Sequence, residues 1–170
     1  MQVQEPVEIS DYDGTWPSQF ASLAQRVRAG LGKLVSRVEH VGSTAVPGLP
    51  AKPIIDLDVV VASEADLSLA IARLADMGYT HEGELGISGR HAFSWPPGEA
   101  RHHLYLLTGY AEELRRHIAF RDALRGDRDL RDRYGMLKRE LADSCSADRA
   151  AYTRGKSDFI ESVIGGSERI

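Results

Sequence analysis

The sequence predicts an α+β fold, a mixed β-sheet with flanking helices and a C-terminal helical segment. Ile54 to Val61 is rich in β-branched residues and bounded by a proline and by Ser-Glu, which is typical of a strand. Short strand-like segments separated by turns fill Tyr79 to Thr108, and apolar residues beyond Tyr110 recur at helical spacing. A length of 170 residues suits one domain, so we expect a single domain over 1–170.

The first third of the chain predicts a helix, a strand and a turn-rich segment. A helix that follows Trp16 and ends near Gly30 or Gly32 is indicated by apolar spacings of three and four. Its apolar residues are Phe20, Leu23, Ala24, Val27 and Leu31. Leu34 to Val41 reads as a short strand, and the prolines of Gly42 to Pro53 exclude a long helix there.

The other elements follow from caps, turns and apolar patterns. A second helix begins at Ser63, with Asp66 as a capping partner and Gly78 as its end. Its expected apolar side is Leu67, Leu69, Ile71, Leu74 and Met77. The strand Ile54 to Val61 forms the core of a sheet whose later strands are Tyr79 to Glu82, Arg90 to Trp95 and His102 to Leu107. The C-terminal helices break near Gly126-Asp127 and Ser146-Ala147.

Composition excludes several classes of function. The net charge of -4 provides no global attraction to nucleic acid or to anionic membranes, so neither is an expected partner. The sequence contains no signal-peptide pattern and no apolar run long enough to span a bilayer, and a cytoplasmic protein is expected. Cys145 is the single cysteine, which excludes an intrachain disulfide and a thiolate-rich metal site.

Two aspartates interrupt the clearest strand. Asp56 and Asp58 are two residues apart, so their side chains project from the same face of the strand. Burial of two adjacent carboxylates is costly and raises the pKa of one of them unless a cation lies between them. A hard divalent ion, most simply Mg²⁺, suits closely spaced oxygens that also meet a polyphosphate. The pair therefore predicts a metal site.

A second motif precedes this strand. Gly42 lacks a β-carbon and lets an anion approach the backbone, while the amides and hydroxyls of Ser43 and Thr44 can hold phosphate oxygens. Lys52 adds a positive charge nearby. A Gly-Ser turn followed closely by an Asp-x-Asp strand resembles the signature of DNA polymerase β-like nucleotidyltransferases.

The segment from Val38 to Asp58 closely resembles the GrpB family, a branch of that nucleotidyltransferase superfamily. The resemblance covers nearly the whole chain. It includes Tyr12-Asp13, Trp16-Pro17, Gly86-Ile87, Gly89-Arg90, His102-His103-Leu104, His117, Phe120-Arg121-Asp122, Tyr134, Leu137-Lys138, Tyr152 and Gly155-Lys156. It implies a nucleotidyltransferase-like mixed sheet with flanking helices. Related domains occur alone or fused to dephospho-coenzyme A kinase.

The chain departs from this pattern beside its His-His pair. Ala100 stands where the family usually has arginine, and Tyr105 where it often has histidine. Active nucleotidyltransferases generally add a third carboxylate from a later strand, but His102 to Leu107 contains no acid. By alternation His103 faces the aspartates, where a neutral imidazole would act as a base or a metal ligand. The loop residues available to replace the carboxylate are Glu82, Glu84 and Glu99.

Other candidate residues each carry two interpretations. His40 either orients a phosphate or satisfies the turn that follows it. Arg90 and Lys156 are either anion contacts or surface charges. The mixed charges from Arg125 to Arg133 indicate a solvated helix face with local pairing.

These motifs predict a Mg²⁺-dependent nucleotidyltransferase. Asp56 and Asp58 would bind metal, the Gly42 turn would bind a nucleoside triphosphate, and His103 would assist proton transfer to a small-molecule acceptor. The alternative is a catalytically inactive nucleotide- or cofactor-binding module, linked to coenzyme A metabolism. The sequence leaves the nucleobase, the acceptor and the oligomeric state open.

Overall fold

Residues 7–61 contain one α-helix and two antiparallel strands. A computed structural model describes residues 7–145 and 148–167. Helix α1 spans Trp16–Leu31 and ends before Gly32, as predicted. Strand β1 (Val35–Val41) is followed by a turn, and β2 spans Ile55–Val61.

The remaining three strands and four α-helices lie among the described residues from 64 to 167. Helix α2 is Leu67–Asp76, and a 3₁₀ turn over Glu64–Asp66 precedes it. Strands β3 (Thr80–Gly83), β4 (His91–Ser94) and β5 (His102–Thr108) follow. The C-terminal helices are α3 (Glu112–Gly126), α4 (Arg128–Ser144) and α5 (Arg149–Ser167). The predicted break at Gly126-Asp127 is confirmed, and Ser146-Ala147 lie outside the described residues.

The five strands form one mixed sheet in the order β1-β2-β5-β4-β3. Strands β2 and β5 are parallel, and the other neighbours are antiparallel. The middle strand is therefore β5, whereas β2 was predicted as the core of the sheet. The parallel register sets Asp56 opposite His103 and Asp58 opposite Tyr105.

The two faces of the sheet pack against different helices. Leu57 and Leu104, on one face, belong to a core cluster with residues of α1 and α2. On the other face, Val60 and Leu107 pack with Leu114 of α3. Since side chains alternate along a strand, Asp56 and Asp58 face the side of the C-terminal helices.

Two predictions concern helix surfaces, and one of them is wrong. Leu69 was assigned to the apolar side of α2, but 49% of its surface is exposed, because the buried contacts of this helix come from Ala70 and Leu74. The run from Arg125 to Arg133 is mostly exposed and locally paired, as predicted. Arg125 and Arg131 in addition donate hydrogen bonds to carbonyls of the β1–β2 segment. Among the described residues, no helix has the length and apolar character needed to cross a bilayer.

Candidate active site

The turn after β1 brings the backbone against the first aspartate. Gly42 has φ +71°, a left-handed conformation that favours glycine. A β-carbon at this position would overlap Oδ2 of Asp56. Gly42 is therefore needed both for its backbone angle and for the close approach of the carboxylate to the turn.

The two hydroxyl residues of the turn, Ser43 and Thr44, interact with different side chains. Thr44 is buried, and its Oγ1 lies 2.9 Å from Nε2 of His40. The His40 ring stacks on Phe20 with 4.5 Å between centroids, and burial lowers the pKa of His40 to about 4. Ser43 forms a hydrogen bond with Tyr134 of α4. His40 is thus neutral at pH 7 and holds the turn, which is the second of its two interpretations.

Asp56 pairs with the histidine on the adjacent strand. Its Oδ1 lies 2.8 Å from Nδ1 of His103, and both side chains are part-buried. The side chain of His102 points to the opposite face, where its Nε2 lies 2.8 Å from the Tyr79 hydroxyl. The orientation that strand alternation predicts for His103 is confirmed.

Asp58 is held by a histidine from helix α3. The carboxylate is fully buried, and its Oδ2 lies 2.7 Å from Nδ1 of His117. Nε2 of His117 lies 3.0 Å from Oε1 of Glu113, one helical turn earlier. Burial opposes the charge of His117, but hydrogen bonds to Asp58 and Glu113 outweigh it and raise the pKa of His117 to about 9. The burial that raises the pKa of Asp58 is thus opposed by an imidazolium.

The carboxylates offer few oxygens to a metal ion. Among the described residues, no group of three or more His, Cys, Asp or Glu side chains is arranged to hold a metal. Asp58 Oδ1 is buried and has no hydrogen-bond partner within the described part of the chain. Asp56 Oδ2 lies against Gly42. One oxygen from each aspartate is compatible with Mg²⁺, which is commonly bound by one or two carboxylates plus substrate phosphates.

Three lysines line the same hollow as Ser43 and Thr44 of the turn. The Nζ atoms of Lys52 and Lys156 lie 4.5 and 4.4 Å from the centroid of the Tyr152 ring. Lys138 is buried, donates to the Pro50 carbonyl and lies over the Tyr134 ring. Burial first, and then neighbouring cations, lower the pKa of Lys138 to about 7 and that of Lys52 to about 8. This cluster favours an anionic ligand, because an anion would relieve the repulsion.

The turn, Asp56, His103 and the lysines line one cleft of about 330 Å³, which we call the main cleft. Its lining comprises Ser43, Thr44, Lys52, Ile54, Asp56, His103, Tyr105, Lys138, Arg149, Tyr152, Thr153 and Lys156. Most of its lining surface is polar, and cations outnumber carboxylates. The lysines and the hydroxyl groups of the turn can donate hydrogen bonds to a phosphate, and they share the cleft with the Asp56–His103 pair. The cleft therefore suits a phosphorylated ligand.

Helices α3 and α4 hold the β1–β2 segment by its carbonyl groups. Arg121 donates to the His40 carbonyl at 3.0 Å and to Glu39 at 2.8 Å. The acceptors of Arg125, Arg131 and Lys138 are the carbonyls of Ala45, Pro47 and Pro50. We call these four side chains the helical clamp. It fixes the turn relative to the sheet by charge-assisted hydrogen bonds.

The remaining candidates lie elsewhere. Arg90 is outside the lining of the main cleft and packs 4.6 Å from the centroid of the Tyr105 ring. Glu99 pairs with Arg26, and Glu84 accepts a hydrogen bond from the Gly89 amide. Glu82 is absent from the lining of the main cleft as well. A carboxylate that is connected to the aspartate pair is instead Glu113 on α3, because His117 pairs with both Asp58 and Glu113.

Sequence reasoning missed the roles of several residues. His117 and Lys138 belong to the family pattern, but no local motif connects them with Asp58 or with the turn. One signal was present, because Glu113 and His117 are four residues apart on a helix and therefore share one face. The lysines of the main cleft, by contrast, come from segments separated by up to 104 positions in the chain (156 − 52).

A family profile and the sequences of individual proteins both match this chain. The family profile described as "GrpB protein" matches residues 6–165. The UPF0157 protein BH1888 of Halalkalibacterium halodurans is 35% identical over 93% of this chain and 80% of its own length. The UPF0157 protein YqkA of Bacillus subtilis is 31% identical over 96% of this chain, which spans about half (48%) of YqkA. A dephospho-CoA kinase of Mycolicibacterium paratuberculosis is 28% identical over 91% of this chain and 44% of its own length.

Several solved structures are also similar to this chain. The conserved protein GrpB from Enterococcus faecalis has a TM-score of 0.85 and 34% identity, covering 94% of this chain and 96% of its own. The GLD-2/RNP-8 complex (TM-score 0.60, 13% identity) covers 86% of this chain and 50% of its own. Cid1 in complex with its short product ApU (TM-score 0.54, 14% identity) covers 86% and 48%. At these identities the last two show the fold alone, which confirms the predicted nucleotidyltransferase-like sheet.

Proposed function

The chain belongs to the GrpB family, and on this premise we propose that it transfers a nucleoside monophosphate from a nucleoside triphosphate to the hydroxyl group of a small-molecule acceptor. One observation carries the proposal. Gly42 brings the phosphate-binding type of turn into contact with Asp56, inside a cleft that also holds His103 and three lysines. This arrangement supports a polyphosphate site next to a carboxylate–imidazole pair.

In this proposal the triphosphate lies between the turn and the lysines. The amides and hydroxyls of Ser43 and Thr44 bind phosphate oxygens from one side, and Lys52, Lys138 and Lys156 bind them from the other. The low pKa values of Lys52 and Lys138, about 8 and about 7, rise when the anion binds. Binding is therefore coupled to proton uptake near pH 8.

The two aspartates would hold Mg²⁺ through Asp56 Oδ2 and Asp58 Oδ1. The bound ion would supply charge neutralisation for the phosphates and for the departing pyrophosphate. His117 keeps the other oxygen of Asp58 engaged, at 2.7 Å. With only two carboxylate ligands, metal and triphosphate are expected to bind together rather than separately.

His103 would take the proton of the acceptor. Its Nδ1–H donates to Asp56 Oδ1, which leaves Nε2 as a proton acceptor. The acceptor oxygen forms a bond to the α-phosphorus as its proton passes to Nε2. The bond from the α-phosphorus to the bridging oxygen breaks, and pyrophosphate leaves with that electron pair. The proton then passes from His103 to water.

A second candidate function is a nucleotide- or cofactor-binding module without transfer chemistry, serving coenzyme A metabolism. Two observations favour it. A histidine rather than a third carboxylate pairs with Asp56 on β5. The chain is also similar over 91% of its length to a dephospho-CoA kinase.

Calorimetry and a pyrophosphate-release assay test the proposal. Nucleoside triphosphates and coenzyme A precursors are titrated with and without Mg²⁺ into the wild type, Asp56→Asn and a control, Asp158→Asn, which changes an exposed aspartate on α5. We expect Mg²⁺-dependent triphosphate binding that weakens at least about tenfold in Asp56→Asn, since one charged metal ligand is lost. Asp158→Asn should bind as the wild type does.

The outcomes separate the two candidates. Pyrophosphate release that requires an added hydroxyl compound and disappears in His103→Gln supports the transferase. Binding without pyrophosphate release across the acceptor set favours the module. Metal-independent binding, or binding that Asp56→Asn leaves unchanged, contradicts the site assignment itself.

A further inference from the structure

A second cavity adjoins the main cleft. It has a volume of about 270 Å³ and is lined by Val7, Glu8, Lys52, Pro53, Ile54, Arg101 and Arg149. It shares Lys52, Ile54 and Arg149 with the main cleft, so the two hollows adjoin. We call it the side cavity. None of the roles assigned above uses Arg101 or Arg149.

The register of the sheet fixes how far the side cavity lies from the reacting groups. Asp56 is opposite His103, and one step earlier in the parallel register Ile55 is opposite His102. Ile54 and Arg101 directly precede these two strands and therefore lie two residues before Asp56 and His103. Two residues of β-strand correspond to about 7 Å. A molecule of three or four atoms would connect the two positions.

The charge of the side cavity identifies the ligand chemistry. Lys52, Arg101 and Arg149 contribute three positive charges, and Glu8 contributes one negative charge. Arg101 lies 5.5 Å from the centroid of the Trp95 ring, which fixes one arginine by a cation–π contact. Val7, Pro53 and Ile54 add an apolar wall. Arginine pairs with carboxylate and phosphate groups through two parallel hydrogen bonds, and the ring contact orders its side chain in advance.

We propose that the side cavity is the acceptor site, and that the acceptor is a small hydroxyl compound carrying an oxyanion two or three carbons from that hydroxyl. Arg101 and Arg149 bind the oxyanion, and the hydroxyl group extends along the sheet face to His103 and Asp56. This inference rests on the proposed function, and it specifies the acceptor that the function leaves open. Lys52, which lines both hollows, lies between the two anions.

The test uses glycerol 3-phosphate and glycerate as probes and glycerol as the neutral control, titrated calorimetrically without nucleotide or metal. The two anionic probes distinguish a phosphate from a carboxylate source. We expect glycerol 3-phosphate or glycerate to bind at least about tenfold more tightly than glycerol, since a charge-assisted pair is gained. Arg101→Gln and Arg149→Gln should each weaken the anion about tenfold or more, whereas Arg154→Gln, at an exposed position on α5, should not.

A reciprocal pair of variants separates the side cavity from the main cleft. Lys156 lines only the main cleft of the two, and Arg101 only the side cavity. Lys156→Gln should weaken triphosphate binding and spare glycerol 3-phosphate, and Arg101→Gln should do the reverse. Thermal unfolding of each variant verifies that it folds, and Arg149→Gln provides a second test on a different element.

Three results would overturn the inference: equal binding of glycerol and the anions, unchanged affinity in both arginine variants, or loss of the anion in Lys156→Gln but not in Arg101→Gln. Failure of the proposed function looks different. In that case the affinity for the triphosphate would not change with Mg²⁺ or in Asp56→Asn. The affinity for glycerol 3-phosphate would still fall in Arg101→Gln.

Discussion

Asp58 illustrates how a buried charge is compensated within this chain. The sequence predicts that two carboxylates on one strand face need a cation, and Mg²⁺ was the expected partner. The structure supplies a first cation from the protein, because His117 lies 2.7 Å from Asp58 and its pKa is raised to about 9. The charged partner offsets part of the desolvation cost of the buried carboxylate, and burial still raises the pKa of Asp58. The second oxygen, Asp58 Oδ1, is the group that a metal would satisfy.

Gly42 provides a prediction at the scale of one residue. In Gly42→Ala the new methyl group meets Asp56 Oδ2, and the φ of +71° is also strained for alanine. In Gly86→Ala only the backbone strain applies, since φ is +80° and nothing lies within 4 Å of the added β-carbon. We expect Gly86→Ala to cost about 1 kcal/mol of unfolding free energy and Gly42→Ala about 1–3 kcal/mol more. Urea denaturation of both variants measures the difference, and equal costs would contradict the close approach.

The helical clamp shows how elements distant in sequence build one turn. Four basic side chains of α3 and α4 hold carbonyl groups between His40 and Pro50, a segment whose prolines exclude a long helix. Gly135 of α4 faces Pro50, and a β-carbon there would come within 3.0 Å of the proline ring. The conformation of the turn therefore depends on helices that begin more than 60 residues later, with α3 starting at Glu112.

Removal of one clamp residue tests this dependence. Arg125→Gln removes the 2.8 Å hydrogen bond to the Ala45 carbonyl, so we expect a loss of roughly 1 kcal/mol in unfolding free energy. Amide exchange at Ala45 and Val46, which donate to Gly42 and Ser43, should accelerate severalfold. The matched control is Arg128→Gln, whose side chain is 83% exposed. Similar exchange in both variants would mean that the turn holds its shape without the helices.

At the scale of the whole molecule, the core clusters link the C-terminal helices to the sheet. One cluster combines Val46 and Leu49 of the β1–β2 segment with Leu124 and Tyr134 of α3 and α4. Another joins Val60 and Leu107 of the sheet to Leu114 of α3. The main cleft lies between these layers and takes residues from both. We therefore expect the sheet and the C-terminal helices to unfold together.

A truncation in the C-terminal cluster tests that cooperativity. Leu124→Ala removes a buried side chain and should lower the unfolding free energy by about 2–5 kcal/mol. Trp16, the first residue of α1, is buried in the core cluster on the other face of the sheet and reports on that side of the molecule. The unfolding midpoints measured by tryptophan fluorescence and by circular dichroism should shift by the same amount if unfolding is two-state. Leu69→Ala, at a half-exposed site, should change stability by less than about 0.5 kcal/mol. Separate transitions in Leu124→Ala would indicate two independent units.

Sequence alone determined the elements and the heart of the candidate site. Strand alternation and helical spacing are local properties, so the strand carrying Asp56 and Asp58, the orientation of His103 and the break after Gly126 were predictable. Only the tertiary structure decided which charges meet those residues. His117, Lys138 and Arg101 come from other elements, and their roles follow from packing across the sheet rather than from spacing along the chain. The physical reason is that electrostatic pairing depends on distance in space and on burial, neither of which a single sequence encodes locally.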